Sequence, residues 1–188
     1  FETKNIIDYA NSSYKSDFMD VYIGHKCEFC ISTGTGFDAI PVIFRRPVFY
    51  AGLIPIAYMH TSSNKFINSY MHHFSNKLNR NLTFEEIFYE NLAFRFDSKF
   101  FLEKNITLIK PNKNQINDFV MKNIKYISPN YKMSNKDKYI QKQFWDIFKK
   151  YYKKYNTQPN IHGEIRSIFD QNFIKENNLF FNNEINYE

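Results

Sequence analysis

The sequence predicts an α/β fold, a parallel sheet flanked by helices, on three observations. Short apolar runs alternate with helix-like segments through the first 52 residues, the loops between them are short, and a glycine-bearing loop follows the second run. The order is strand, helix, strand, helix, strand, and each element has a local cause. "NIIDYA" (5–10) is an apolar run that ends in the polar cluster "NSSYKS", so it reads as a strand and its loop. Ser16 then stands where it can cap a helix from Asp17. Asp17 and Asp20 occupy that helix's electropositive first turn, Phe18, Val21 and Tyr22 follow at helical spacing, and His25 and Lys26 sit at its electronegative end. "EFCIS" (28–32) is the second strand and "TGTG" its loop. "FDAIPVIF" (37–44) is a second helix, tolerating Pro41 only because it lies in or near the first turn. Arg45 and Arg46 close that helix with a structural role, Pro47 blocks its continuation, and "VFYAG" (48–52) makes the third strand.

Beyond Gly52 the pattern loosens. "LTFEEIFYENL" opens with a capping box, Thr83 three residues before Glu86, and so begins a helix. "NITLIK" (105–110) is a further strand, and a helix is expected over 114–124. Ser134 starts a longer helix to residue 155, with Ile140, Phe144, Ile147, Phe148 and Tyr151 on one side and lysines on the other. A final helix is expected over 164–175, followed by a poorly ordered Asn-rich tail, 177–188. No internal repeat or second domain is visible, so 1–188 reads as one Rossmann-like domain.

Composition bounds the function. At 188 residues and 43% hydrophobic, the chain can bury a core. Phe and Tyr are abundant together with Asn, Lys and Ile, all with A- and T-rich codons, so genome composition accounts for part of the bias. The net charge of +6 and pI near 9.1 favour acidic partners, although lysines spread by codon usage give the same number. The basic residues gather over 132–156. The longest uncharged run, 47–59, contains two prolines and is shorter than the roughly 20 residues that span a bilayer. The opening "FETKNIIDYA" has neither a secretory pattern nor a methionine, which leads to the expectation of a fragment of a longer chain.

Cys27 and Cys30 form the only C-x-x-C. With no second pair and no H-x-x-x-H for zinc, and with positions three apart on a strand pointing to opposite faces, both read as small buried apolar residues. Two reduced cysteines suit the cytoplasm, and no metal is expected.

The "STGTG" loop carries the chemistry. In an open parallel sheet, ligands bind at the carboxyl ends of the strands, and this loop lies between a strand end and a helix start. Amides there lack intrahelical partners, so an anion is stabilised. Gly34 and Gly36 let the backbone approach phosphate oxygens, and Ser32, Thr33 and Thr35 add hydroxyls. The loop is neither a Walker loop nor the G-x-G-x-x-G fingerprint, and a capped turn without ligand stays open. Asp38 is placed to accept hydrogen bonds from sugar hydroxyls, or to serve as a dipole-favoured surface carboxylate. Tyr9 and Tyr14 are candidates to stack on a base, with Ser16, Asp17 and His60 in neighbouring loops; ordinary packing of the tyrosines remains the alternative.

On "SDFMDVYIGHKCEFCISTGTGFDAIPVIFRRPVFY" the chain resembles a family of bacterial glycosyltransferases of the GT-B type. The matching features are Ser16-Asp17-Phe18-Met19-Asp20, Ser32-Thr33-Gly34-Thr35-Gly36 with Asp38, and Arg46-Pro47, with looser echoes in "LTFEEI" and "IRSIFDQNFI". The resemblance covers about the first third of the chain. It implies the C-terminal, donor-binding half of a two-domain enzyme, with the glycine loop against the diphosphate of a nucleotide sugar and Asp38 near the ribose or sugar. It also implies metal-independent transfer to a surface glycan or lipid-linked acceptor, no cofactor, no nucleic-acid partner, and a separate N-terminal acceptor-binding domain. The expected location is cytoplasmic, with room for peripheral contact at the inner face of the membrane. No catalytic base is identified, and this chain alone is expected to bind without turnover. Two alternatives stand beside this reading: a nucleotide-sugar epimerase of the same fold, and a non-enzymatic basic module binding nucleic acid or an anionic membrane through the lysine-rich helix.

Overall fold

The computed structural model describes residues 5–157, 159–176, 181 and 185. In chain order its elements are α1 (Asp17–Lys26), β1 (Cys30–Ser32), α2 (Ala39–Ile43), β2 (Val48–Leu53), β3 (Phe66–Tyr70), β4 (His72–Ser75), β5 (Arg80–Asn81), α3 (Phe84–Tyr89), α4 (Ser98–Glu103), β6 (Ile106–Ile109), α5 (Lys113–Asn123), α6 (Asn135–Tyr155), β7 (Ile168–Phe169) and α7 (Gln171–Glu176). Single turns of 3-10 helix join several of them.

Four strands make a parallel sheet in the order β1-β2-β3-β7, and β5-β4-β6 make a second, antiparallel sheet. The period-2 alternation of β2 explains why helices are needed on both faces of the parallel sheet. Val48 and Tyr50 enter a core shared with α3 and α6, whereas Phe49 and Ala51 pack with Phe119 and Val120 of α5. The first core is largely aromatic. Phe144 of α6 stacks on Phe169 of β7 with centroids 4.0 Å apart, and Phe84 and Phe88 of α3 contact the rings of α6. Polar side chains from α6 fix the short edge strand β7: the Gln141 amide donates to Phe169 O (2.7 Å) and accepts from Phe169 N (2.9 Å), and Trp145 Nε1 donates to Ser167 O.

Several expected elements stand where the sequence puts them. Ser16 Oγ accepts from Met19 N and caps α1, Thr83 and Glu86 close the capping box of α3, and Ser134 caps α6. The stripe Ile140, Phe144, Ile147, Phe148 and Tyr151 is buried, while Lys142 and Lys154 face outward and pair with Asp146 and Glu85. No described helix is long and apolar enough to cross a membrane.

Two expectations are corrected. Residues 5–10 are not a sheet strand: the segment has a bridge at Ile6 and a 3-10 turn at Tyr9–Asn11, with Ile6 and Ile7 exposed. The Tyr9 hydroxyl donates to Asp20 Oδ1 (2.6 Å) and accepts from Ser16 N, so this segment is tied to the start of α1 rather than to β1. As a result β1 is an edge, and the order of the described parallel strands never reverses. The expected helix over 164–175 is instead β7 followed by α7. Ile168 and Phe169 pair with Ile67 and Asn68 of β3, where two bulky side chains gain more from sheet burial than from a helical turn. The strand expected at 105–110 is present as β6, and it pairs antiparallel with β4 in the second sheet. The tail 177–188 lies outside the described residues except for Phe181 and Ile185, both buried in the first core.

Candidate functional site

The register of β1 on β2 places Ser32 opposite Tyr50, and the chain leaves the sheet immediately afterwards. Ser32 Oγ accepts from Gly34 N (3.0 Å), a local bond that turns the backbone at once. Gly34 takes φ +84°, and a Cβ there would lie 2.9 Å from Leu53 Cδ2. This glycine is therefore required by the turn itself. Gly36 differs: its φ lies outside the left-handed region, and a Cβ would meet nothing within 4 Å. The first helical bond runs from Asp38 N to Thr35 O (3.1 Å), so the amides of Thr35, Gly36 and Phe37 precede the helix's own ladder. The loop 33–37 is exposed to solvent.

Behind the loop the chain turns polar. Asp38 is only 6% exposed, and its carboxylate acts on three neighbouring groups. Burial first, and then Asp38, push the Tyr50 hydroxyl far above the usual phenol range. The Cys30 thiol is raised to about 11 by burial, with Cys27 and Asp38 adding to it. Burial lowers the His60 imidazole from its usual range, with Asp38 opposing. The His60 ring stacks on Tyr50, centroids 4.3 Å apart and planes 12° apart, and its carbonyl accepts from Asn68 Nδ2 (3.0 Å). The Tyr50 hydroxyl is buried without a hydrogen-bond partner. At neutral pH the cluster thus holds a protonated phenol, a protonated thiol and a neutral imidazole beside one carboxyl group. Burial raises Cys27 as well, so neither cysteine is poised as a thiolate, the form that attacks or ligates.

Of the residues singled out from sequence, Ser32, Thr33, Gly34, Thr35, Gly36 and Asp38 form one continuous turn, and His60 joins them through Tyr50. Tyr9 and Ser16 are instead occupied at the start of α1, where Tyr9 holds Asp20 and Ser16 serves as the cap. Tyr14 and Asp17 are exposed, and among the described residues no hydrogen bond or ring contact joins them to the glycine loop. Arg46 Nε donates to His25 O (2.6 Å), joining the ends of α1 and α2 as a structural residue should. Tyr50 and Asn68 were missed. The alternation in "VFYAG" could have found Tyr50, since it places that side chain on the face shared with Ser32. Asn68 lies in β3, which follows the polar run 61–64 but continues into β4 with no break in the sequence.

Among the described residues no group of three or more His, Cys, Asp or Glu side chains is arranged to hold a metal ion. Comparison with protein-family models, with curated proteins and with solved structures returns no match for this chain.

Proposed function

We propose that this chain binds the diphosphate of a nucleotide sugar on the 33–37 loop, as the donor-binding domain of a glycosyltransferase of the GT-B type. The observation that carries the reading is the contrast between the two glycines. The turn explains Gly34, but neither conformation nor packing explains Gly36, where an added Cβ would meet nothing within 4 Å on the exposed 33–37 loop. A diphosphate needs such a surface, because a side chain there would hold its oxygens away from the amides.

On this reading the Thr35 and Gly36 amides, helped by the Thr33 hydroxyl, stabilise negative charge as it develops on the departing diphosphate. Asp38 accepts a ribose or sugar hydroxyl at the inner margin of the loop, and Tyr50 and His60 support it from below. The acceptor and the catalytic base belong to groups outside this site.

The test is a calorimetric titration of the chain with UDP, GDP, CMP and ADP, beside a Gly36→Val variant. A Cβ at residue 36 meets nothing within 4 Å, so the fold should tolerate the branched side chain while the anion's space is filled. Saturable binding of one nucleotide, lost in the variant at unchanged melting temperature, is the expected result. Equal binding by the variant would refute the site. Silence toward all four nucleotides, repeated in a longer chain carrying this domain, would refute the function.

A further inference from the structure

The same edge of the sheet carries a second feature, separate from the glycine loop. A cavity of about 170 Å³ opens where β2, β3 and β7 end, bounded by α5 and α7. Ala51 reaches it from the α5 side of the sheet, the face opposite that of Tyr50. Its volume is well below the ~300–1,000 Å³ of sites for drug-sized ligands, so it has room for one small ring and not for a nucleotide.

The lining determines the chemistry. Asp170 is 7% exposed, and its Oδ1 accepts from Asn123 Nδ2 (2.9 Å) and Asn172 N (3.1 Å). Burial pushes its carboxyl above the ordinary carboxylate range, and among the described residues no Lys or Arg forms an ion pair with it. A carboxylate offers about four acceptor positions, so Asp170 retains capacity for further donors. Lys122 bridges Asp118 (3.6 Å) and Glu176 (3.7 Å), so these three largely neutralise one another. On one side stand apolar rings: Phe173 stacks on His72 at 4.9 Å, and burial holds His72 below its usual range, hence neutral at pH 7.

An anionic ligand would face Asp170, Asp118 and Glu176, and a cationic one would face Lys110 and Lys122. A neutral ring bearing hydroxyls avoids both conflicts. Its hydroxyls find carboxylate and amide partners, and its C–H face finds aromatic rings. We propose that this cavity binds a single neutral polyhydroxylated ring, a sugar unit or cyclitol. The site is independent of the nucleotide reading and stands or falls separately from it.

The probes are glucose, galactose, N-acetylglucosamine and myo-inositol, each titrated into the chain and followed by amide chemical shifts. Methyl glycosides of the three sugars distinguish a free ring from the terminal unit of a longer glycan. At least one probe should saturate with Kd of about 1–10 mM, with shifts centred on β7, α5 and α7 and unchanged in added salt, because a neutral ligand is not screened. Asp170→Asn keeps a residue that caps α7 well and removes the carboxylate, so affinity should fall about tenfold at similar melting temperature. Asn172→Trp fills the mouth and should abolish the shifts, whereas Gly36→Val should leave them unchanged. No saturable shift from any probe at tens of millimolar would overturn the proposal. So would binding that survives Asn172→Trp, or displacement of the ring by inorganic phosphate or methylamine.

Discussion

Replacing each loop glycine by alanine separates the two by cause. At Gly34 the left-handed backbone costs an L residue about 1–2 kcal/mol. The new Cβ would also lie 2.9 Å from Leu53 Cδ2, and Leu53 is buried, so relieving the clash adds about 1 kcal/mol. Alanine narrows the unfolded ensemble and returns about 0.4–1 kcal/mol. The net loss is about 1–2 kcal/mol. For a chain of 188 residues the unfolding entropy is about 0.4 kcal/mol per degree. Gly34→Ala should therefore lower Tm by about 3–5 °C. Gly36→Ala has no clash and no left-handed backbone, so the unfolded-state gain stands alone and Tm should rise by about 1–2 °C. Scanning calorimetry of both variants is the assay. If Gly36→Ala destabilised as much as Gly34→Ala, the fold itself would need Gly36, and its openness would no longer argue for a ligand.

Other substitutions probe the supports of this edge and of the core beside it. Thr83→Ala removes the bond from Glu86 N to Thr83 Oγ1 and should cost about 1 kcal/mol, read from a urea titration. His73 is fully buried, its Nδ1 donates to Met71 O, its Nε2 has no partner, and burial holds it down to about 4. Above pH 6.5 both states are neutral. Between 6.5 and 4 the unfolded state binds the extra proton, so stability should fall with pH by about 3 kcal/mol in all. A His73→Phe variant, which cannot titrate, should show a flatter slope of stability over that window, and an unchanged slope would refute the assignment. Tyr50→Phe removes a buried hydroxyl that lacks a partner, so stability should stay within about 0.5 kcal/mol or rise. A loss above about 2 kcal/mol by thermal melt would mean that the hydroxyl is bound to Asp38 after all.

What was legible in the sequence was local. Ser16, Thr83 and Ser134 cap helices because a side-chain oxygen meets an amide two or three residues on, and no distant partner is needed. The stripe of α6 was legible for the same reason, since the 3.6-residue period is written along one segment. The strands were legible only where a turn signal flanked them. "VFYAG" follows Pro47 and ends in glycine, whereas β3 lies within "NKFINSYMHH", where no break separates it from β4. The 5–10 run shows the opposite failure. Its apolar character allows a strand, but a strand needs a neighbour, and Tyr9 bonding to Asp20 draws the segment to α1 instead. At the site, the glycine loop was legible because glycine and threonine mark a turn. The floor beneath it was not, because Tyr50 meets Asp38 and His60 only through pairing across β1, β2 and the 54–65 connection.

The distribution of buried polar groups along the parallel sheet ties these local results to function. The bodies of the central strands are apolar: Val48 and Phe49 in β2, Phe66 and Ile67 in β3, and Ile168 and Phe169 in β7 are all buried. Toward the carboxyl ends of β1, β3 and β7 the buried residues include Ser32, Asn68, Ser69 and Asp170, with Asp38 one turn beyond β1, whereas β2 stays apolar through Ala51 and Leu53. Some of this polarity does structural work: Ser69 Oγ accepts from Gly52 N, and Asn68 Nδ2 donates to His60 O. The Tyr50 hydroxyl and Asn68 Oδ1 remain buried without partners. An unpartnered buried polar atom costs about 1–3 kcal/mol, so a sheet selected for stability alone would carry apolar side chains at these positions. Both atoms lie on the same face of the sheet, since Tyr50 pairs with Asn68 across β2 and β3, whereas Ser167 Oγ, from the residue before β7, is buried without a partner at the amino end. Stability gives no reason for the pair at Tyr50 and Asn68, which lies on the face that Ser32 shares.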